Sequence, residues 1–407
     1  MKMRGSFVVS TMGKVIEISP GIFWVGAVDW HRRIFDALIP LPYGTSYNSY
    51  LVVGKGKTAL IDTVNPGFED VLFEKIEQIA KPEKIDYVIM NHAEPDHAGG
   101  IPAVLSMAKD AKLITTEKGV EMAEAFHGVP PGRAIIVKDG DTLNLGGKTL
   151  SFIDAPWLHW PETMFTFCQE DGVLFPCDFF GSHMASDRLF DDEVGDILLP
   201  EAKRYYAEIM MPFPQFVLKA LDKVKGMDIR MIAPSHGPIH RNPREIIEAY
   251  ERWARGPLEP KALVIYVSMW GNTEMLAKTI VNAISTEGVE AVPYNMLAAD
   301  ISHIARDLVD ASAVVVGSPT LLGGIHPLVG TMVGLIRGLR PRVKLAAIFG
   351  SYGWVGGATD QIRNILQPAG FEIIDILKVN GRPKKEDLNK AENLGKLVAQ
   401  RVKEIAK

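Results

Sequence analysis

The stretch HAEPDH, residues 92–97, places two histidines, a glutamate and an aspartate within six positions and breaks them with a proline. The strand-like run IDYVIM leads into it and AGGIPAVLSMA follows. It therefore reads as a loop between a strand and a helix, where binding side chains are commonly carried. Imidazole nitrogens and carboxylate oxygens suit first-row metals. Pro95 removes a competing backbone donor and stiffens the segment. Read alone, the stretch fits either a metal loop or a solvated polar turn with capping side chains.

Three later residues bear on that choice. His159 sits between aromatics in APWLHWPETM, Asp178 ends the apolar run GVLFPCD, and His236 ends another in MIAPSHGPIH. Polar groups at the tips of buried strands are seldom needed for packing.

Composition bounds the functions open to the chain. Its 407 residues exceed what one core usually serves, so two domains are expected. Hydrophobic residues make up 47% and charged residues 23%, which is ordinary for a globular protein. A net charge of −5 and a pI of about 6.1 speak against a nucleic-acid partner. Cys168 and Cys177 are too few for a disulfide framework or a four-cysteine iron module. Set in the runs MFTFC and VLFPC, they read as buried thiols, and such sparse cysteine use fits a reducing cytoplasm. No apolar run nears the ~20 residues of a membrane span. The opening MKMRGSFVVSTMGK has only FVV as an apolar stretch, too short for a signal peptide. A short disordered extension is expected there, with the fold beginning near Val15.

The segment RWARGPLEPKA, residues 252–262, is the expected linker, because Gly256, Pro257 and Pro260 stop the helical pattern PREIIEAYERWA. It divides the chain into residues 1–256 and 257–407. In the first part, apolar runs such as SYLVV, TALIDT, AKLITT and LSFIDA alternate with turns and with helical patterns such as FEDVLFEKIEQIA. That mixture predicts sheets covered by helices. In the second part, ALVIYVS, VEAVPYN, SAVVVGS, LAAIFGS and EIIDILK alternate with helical stretches and predict a doubly wound parallel sheet.

Three loops follow strands of that second part. SMWGNTEMLA (268–277) opens a helix with Ser, Asn and Thr, which fits an anion site or a plain helix cap. GSPTLLGGIHP (317–327) and GSYGWVGGA (350–358) end two later strands. Ligands of doubly wound sheets bind at these carboxyl ends.

HAEPDH resembles the metal loop of the metallo-β-lactamase fold, usually H-x-H-x-D-H, with Glu94 in place of the second histidine. With 61 residues between His97 and His159, 18 between His159 and Asp178, and His236 beyond, the order is similar to that of flavodiiron proteins, also called A-type flavoproteins. HWPETM, YGTSYNSYL and APSHG are also similar to family segments, and the resemblance spans nearly the whole chain. It implies a metallo-β-lactamase-like αββα sandwich followed by a flavodoxin-like doubly wound parallel sheet. By similarity, His92, Glu94 and His159 hold one iron, Asp96, His97 and His236 the other, and Asp178 bridges them. The family's counterpart of His97 can be displaced by water. An anionic oxygen at position 94 suits iron that cycles between ferrous and ferric states, whereas zinc hydrolases of this fold favour neutral imidazoles.

The three loops resemble the phosphate loop and the two isoalloxazine loops of flavodoxin. FMN is implied, its phosphate on Ser268, Met269, Trp270, Gly271, Asn272 and Thr273. Its ring would lie against Ser318, Pro319, Thr320, Leu321, Gly323 and Gly324, and against Ser351, Tyr352, Gly353, Trp354 and Gly356. Leu322-Gly323-Gly324 stands where the family often carries an asparagine, which leaves flavin contacts there to the backbone. Tyr205, in KRYYAEIMMP, and His183, in FFGSH, match residues that the family places near the irons. The tyrosine either gives a hydrogen bond or proton to bound oxygen or is a packed helix residue, and a lone histidine is more often structural. Asp36, in RRIFDALIP, replaces a common histidine and either adds negative charge to the site or points to solvent.

The implied activity is reduction of O2 to water, or of NO to N2O, with electrons reaching a diiron site through FMN from rubredoxin or a reduced deazaflavin. The implied assembly is a head-to-tail homodimer, or a dimer of dimers, with each FMN beside the partner's irons. O2 is expected over NO, because the chain resembles the simplest family form, without fused redox domains. Two other readings stay open on the residues alone. A zinc hydrolase predicts no flavin and usually a histidine at position 94. A plain electron carrier makes the flavodoxin-like part the active one.

Overall fold

The computed structural model describes residues 13–406, so the extension expected ahead of Val15 lies almost wholly outside the described residues. Two compact units emerge. One runs up to Tyr206 and resumes over Phe213–Glu251, and the other joins Ala207–Pro212 to the chain from Arg252 onward. The expected linker is largely regular structure: helix Pro243–Arg255 runs into it and strand Glu259–Tyr266 starts inside it. The strand begins before the apolar run because Glu259 and Pro260 are exposed, so a reading based on apolar runs sees only the buried part. No helix among the described residues is long and apolar enough to cross a membrane.

The first unit is built on two sheets. The larger has seven strands in the order Ile16–Ser19, Ile22–Trp24, Tyr50–Val53, Thr58–Ile61, Tyr87–Ile89, Lys112–Thr115 and Ala134–Ile136. Its first four strands pair antiparallel and the remainder parallel. The smaller has five: Thr142–Asn144, Thr149–Asp154, Met164–Cys168, Val173–Phe175 and Met231–Ile232. Side chains alternate between faces along a strand. Thus Tyr50, Val52, Ala59, Ile61 and Ile89 pack against Leu150, Phe152, Met164 and Phe175 between the sheets. Leu51, Leu60 and Val88 point the other way, onto Leu72, Ile76, Ile101 and Val104 of helices Glu69–Glu77 and Ile101–Met107. Helix Pro214–Val224 buries Val217, Ala220, Leu221 and Val224, and Lys223 Nζ donates to the Asp154 carbonyl at 2.8 Å.

Strands Val173–Phe175 and Met231–Ile232 are parallel neighbours. The chain beyond each therefore leaves the same edge, carrying Asp178 and His236. Asn48 ties that edge down. Its amide nitrogen donates to the carbonyls of Pro234 and Gly237 at 2.9 and 2.8 Å, and its Oδ1 accepts from Trp24 Nε1 at 2.9 Å.

The second unit has the strand order Glu290–Asn295, Glu259–Tyr266, Ala311–Leu321, Leu345–Tyr352 and Glu372–Asn380, all parallel, as the alternation of apolar runs and helices predicts. One face packs on helices Asn272–Thr286 and Lys385–Ile405 through Leu276, Ile280, Ile284, Leu394 and Val398.

Gly26 leaves no room for a side chain: a Cβ there would lie 2.3 Å from the Tyr47 carbonyl oxygen and 2.7 Å from Asn48 Cα. Gly26→Ala is expected to cost about 1–3 kcal/mol through overpacking. Urea unfolding of the purified variant measures this, and an unchanged midpoint and slope would refute it.

Candidate metal centre and strand-end cleft

HAEPDH follows strand Tyr87–Ile89, but its second half is helical rather than loop. Pro95 takes the first position of the short helix Pro95–Ala98, where a missing N–H costs nothing. The turn swings Asp96 and His97 toward Asp178 and His236. Two clusters result. His92, Glu94, His159 and Asp178 form one, and Asp96, His97 and His236 form the other. Glu94 Oε2 lies 3.3 Å from His92 Nε2 and 3.0 Å from His159 Nε2. Asp96 Oδ1 lies 3.3 Å from His97 Nε2, and its Oδ2 lies 3.2 Å from His236 Nε2. Asp178 faces both: Oδ2 is 3.5 and 3.4 Å from His92 and His159, while Oδ1 is 2.9 and 3.6 Å from His97 and His236.

The charges explain one another. Burial alone would lower the histidine pKa values. Hydrogen bonds that His92 donates to Glu162 and Glu94 nonetheless raise it to about 10, and Asp96 and Asp178 raise His97 to about 9. Against the same burial, Asp178 and Glu94 raise His159 to about 10. Burial would also raise the carboxylates, yet His159 and His92 hold Glu94 at about 2, and Asp96 and Asp178 are likewise lowered by their histidines.

The surrounding groups divide the expected residues from those the sequence did not suggest. Tyr205 is buried and donates to Asp178 Oδ1 at 2.7 Å. His183 is buried outside both clusters, its Nδ1 3.0 Å from Thr45 Oγ1 and its Nε2 without a hydrogen-bond partner. Asp36 tops the hairpin Ile34–Phe35/Ile39–Pro40 with a φ of 48°. Partial burial, and then the charge of Glu94, raise its pKa, so its carboxyl senses the cluster. Three groups carry no signal of function in the sequence. Glu162 meets His92 Nδ1 at 2.7 Å, the Ser46 carbonyl meets His236 Nδ1 at 2.6 Å, and Asp62 accepts from both the backbone and side-chain nitrogens of Asn91. They lie within or beside segments such as YGTSYNSYL and HWPETM, but nothing local names their partners. Both cysteines are free and buried, as expected.

In the second unit the strand ends enclose a cleft of about 500 Å³. Ser268, Met269, Trp270, Asn272 and Thr273 line it, with Pro319, Thr320, Leu321 and Gly323 from the next loop and Ser351, Tyr352, Gly353 and Trp354 from the third. Gly271, Ser318, Gly324 and Gly356 do not line it, whereas Leu322, Val355 and Gly381 do. Ser318 is turned away, its hydroxyl accepting from the His326 backbone N–H at 3.1 Å. Gly271 supplies the left-handed N-cap, φ 83°, of helix Asn272–Thr286, and no side chain caps that helix. This removes the plain-cap reading: the helix starts with the cleft-lining residues Asn272 and Thr273 and no side chain accepts from its first N–H groups. Ser268 Oγ is buried there with no hydrogen-bond partner.

Sequence profiles match both parts, the ODP family beta lactamase over residues 45–237 and flavodoxin over residues 264–395. A protein of Moorella thermoacetica named nitric oxide reductase is 40% identical over 398 residues, covering 96% of this chain and all of the relative. The solved rubredoxin oxygen:oxidoreductase of Desulfovibrio gigas superposes with a TM-score of 0.93 at 33% identity, covering 96% of this chain and 99% of that one. The flavodiiron protein of Giardia intestinalis does so with a TM-score of 0.93 at 32% identity, covering 99% of each chain.

This chain belongs to the flavodiiron family. Flavodiiron proteins are oxidoreductases, and membership implies FMN and a diiron site. The residues fit both groups. Asp96 Oδ1, Asp178 Oδ2 and both ring nitrogens of His97 are buried without hydrogen-bond partners, which interiors seldom tolerate unless a ligand satisfies them. The mixed donor set, four imidazoles with the carboxylates of Glu94, Asp96 and Asp178, suits iron. The uncapped helix start and the orphan Ser268 hydroxyl suit a phosphate.

Protons and metal compete for the same imidazoles, so metal affinity should rise with pH. In the iron-free flavodiiron protein, histidines raised above the unfolded value of ~6.5 add stability below that pH. This contribution is lost as the pH climbs through about 9 to 10. The gap in melting temperature between iron-loaded and iron-free protein should therefore widen from pH ~6.5 upward. Calorimetry of both forms checks this, and parallel curves would contradict it.

Proposed function

We propose that this flavodiiron protein reduces O2 to water, using electrons that an external carrier delivers through FMN. The observation that carries this reading is the division of Asp178 between two clusters, Oδ2 toward one and Oδ1 toward the other. On this reading His92, Glu94 and His159 hold one iron, Asp96, His97 and His236 hold the other, and Asp178 bridges. The flavin phosphate rests on Ser268 to Thr273, and the ring lies between the loops around Thr320 and Trp354. When bound, the flavin supplies electrons singly and the iron pair binds and reduces the gas.

The remaining tasks fall to this chain's side chains. Tyr205 holds a proton one hydrogen bond away from the bridging carboxylate oxygen. Burial, then the charges of His236 and Arg204, keep His183 neutral, and its unpartnered Nε2 can hold the proton of the neutral ring. Asp36, its pKa raised, adds an acid whose charge couples to Glu94 and Asp96. O2 takes up four electrons and four protons to give two waters, whereas two NO take up two of each to give N2O and water. A site ringed with proton-bearing groups favours the first demand. NO reduction is the second reading, supported by the 40% identity to the Moorella protein.

The donor fits rubredoxin, on the name of the Desulfovibrio protein, with a reduced deazaflavin as the alternative. Trp270, Leu322 and Trp354 rim the cleft with exposures of 86%, 100% and 93%. Large exposed apolar groups call for a cover. A second copy of the chain, arranged head to tail, supplies one and sets each flavin beside the partner's irons.

Purified protein is expected to carry about two irons and one FMN per chain. Asp178→Asn should keep the flavin and lose iron and at least about tenfold in turnover. Stopped-flow reoxidation of the reduced protein by each gas ranks the substrates, and faster turnover with NO would exchange the two readings.

A further inference from the structure

Glu162 belongs to neither cluster, yet its side chain is fully buried. Its Oε1 accepts from the Ala93 backbone N–H at 2.8 Å and lies 2.7 Å from His92 Nδ1. Thr163 Oγ1 reaches that nitrogen only at 3.5 Å, so the carboxylate is the stronger partner. A carboxylate accepts and does not donate, so Nδ1 must carry the hydrogen. Once a metal displaces the second proton of the ring, the lone pair is left on Nε2, the atom that faces Glu94 at 3.3 Å and Asp178 at 3.5 Å.

The opposite cluster is backed differently. His236 Nδ1 meets a neutral carbonyl, that of Ser46, and His97 Nδ1 has no hydrogen-bond partner. Glu162 Oε2 has no hydrogen-bond partner either, so no donor spreads its charge further. A carboxylate behind a ligating imidazole makes the imidazole a stronger donor. Stronger donation and nearby negative charge both favour the higher oxidation state of a metal.

We infer that Glu162 is a positioning residue that fixes the His92 tautomer and makes the metal position at His92, Glu94 and His159 the more easily oxidised of the two. In a half-reduced centre, the extra electron then resides at the Asp96, His97 and His236 position. The inference rests on the diiron reading above, and its tests separate the two.

Glu162→Gln keeps an oxygen for both donors and removes the charge, and Glu162→Asp keeps the charge. In the zinc-loaded wild-type protein, ¹⁵N NMR of His92 should show Nδ1 protonated. An Nε2-protonated ring would overturn the inference whether or not the variants fold. In the iron-loaded proteins, reductive titration followed by EPR should show a half-reduced form in the wild type. Its comproportionation constant should fall about tenfold or more in Glu162→Gln and recover in Glu162→Asp. A purely structural role would lower iron content while leaving that constant unchanged in the loaded fraction, and this result also overturns the inference. Wild-type protein that takes up zinc with the expected tautomer but never binds iron would instead sink the diiron reading.

Discussion

The first unit is organised around one electrostatic constraint: carboxylates gathered in a buried space must be balanced. Glu94, Asp96, Asp178 and Glu162 converge on His92, His97, His159 and His236, and the acids raise His92, His97 and His159 while the histidines hold the acids low. Such a cluster is costly unless every charge has a partner at close range. The fold supplies that range by letting neighbouring parallel strands end at one edge and by turning HAEPDH into a helix just after Glu94. The apolar sandwich beneath fixes the strand ends, so the chemistry rests on packing that never touches it.

The second unit meets a different demand with the same economy of means. Its sheet gathers three loops at one end, and a helix start without a side-chain cap offers backbone N–H groups. Thr273 Oγ1 lies 2.9 Å from Ser351 Oγ, so the first and third loops are stitched together by hydroxyls. Thr320 Oγ1 accepts from the N–H groups of Gly357 and Ala358, joining the second to the third. The hydroxyls of Thr273, Ser351 and Thr320 are spent on the loops themselves, which leaves the Ser268 hydroxyl and the helix start free, with Leu322 and Trp354 at the surface.

The division of labour also sets what could be read from the sequence. Ligand types at strand tips are chemically out of place in a core, so His92, Asp178 and His236 stood out before any coordinates. The five-strand alternation of the second unit was legible for the same reason, since its apolar runs are long and buried. Glu162 was not, because its partner lies 70 positions away and a single acid among aromatics has no periodicity. Ser46 reaches His236 across 190 positions and uses a backbone carbonyl, which no side-chain pattern can reveal. In the cleft, Ser318 was misplaced because its hydroxyl serves the next helix, and Gly381 was missed because it comes from beyond the last strand. The start of strand Glu259–Tyr266 was hidden because its first residues are exposed.

Asn48 shows how such a centre fails. Its amide grips the chain on both sides of His236 and anchors itself on the Trp24 indole, using one acceptor and two donor hydrogens of a single uncharged group. No other common side chain except the longer glutamine offers that combination. Damage here would therefore not weaken the ligand loop by degrees. All three attachments would go together, leaving the bonds from the Asn48 backbone N–H to the Ser235 carbonyl and from the Tyr50 hydroxyl to the Pro234 carbonyl as the nearest remaining ties on that loop.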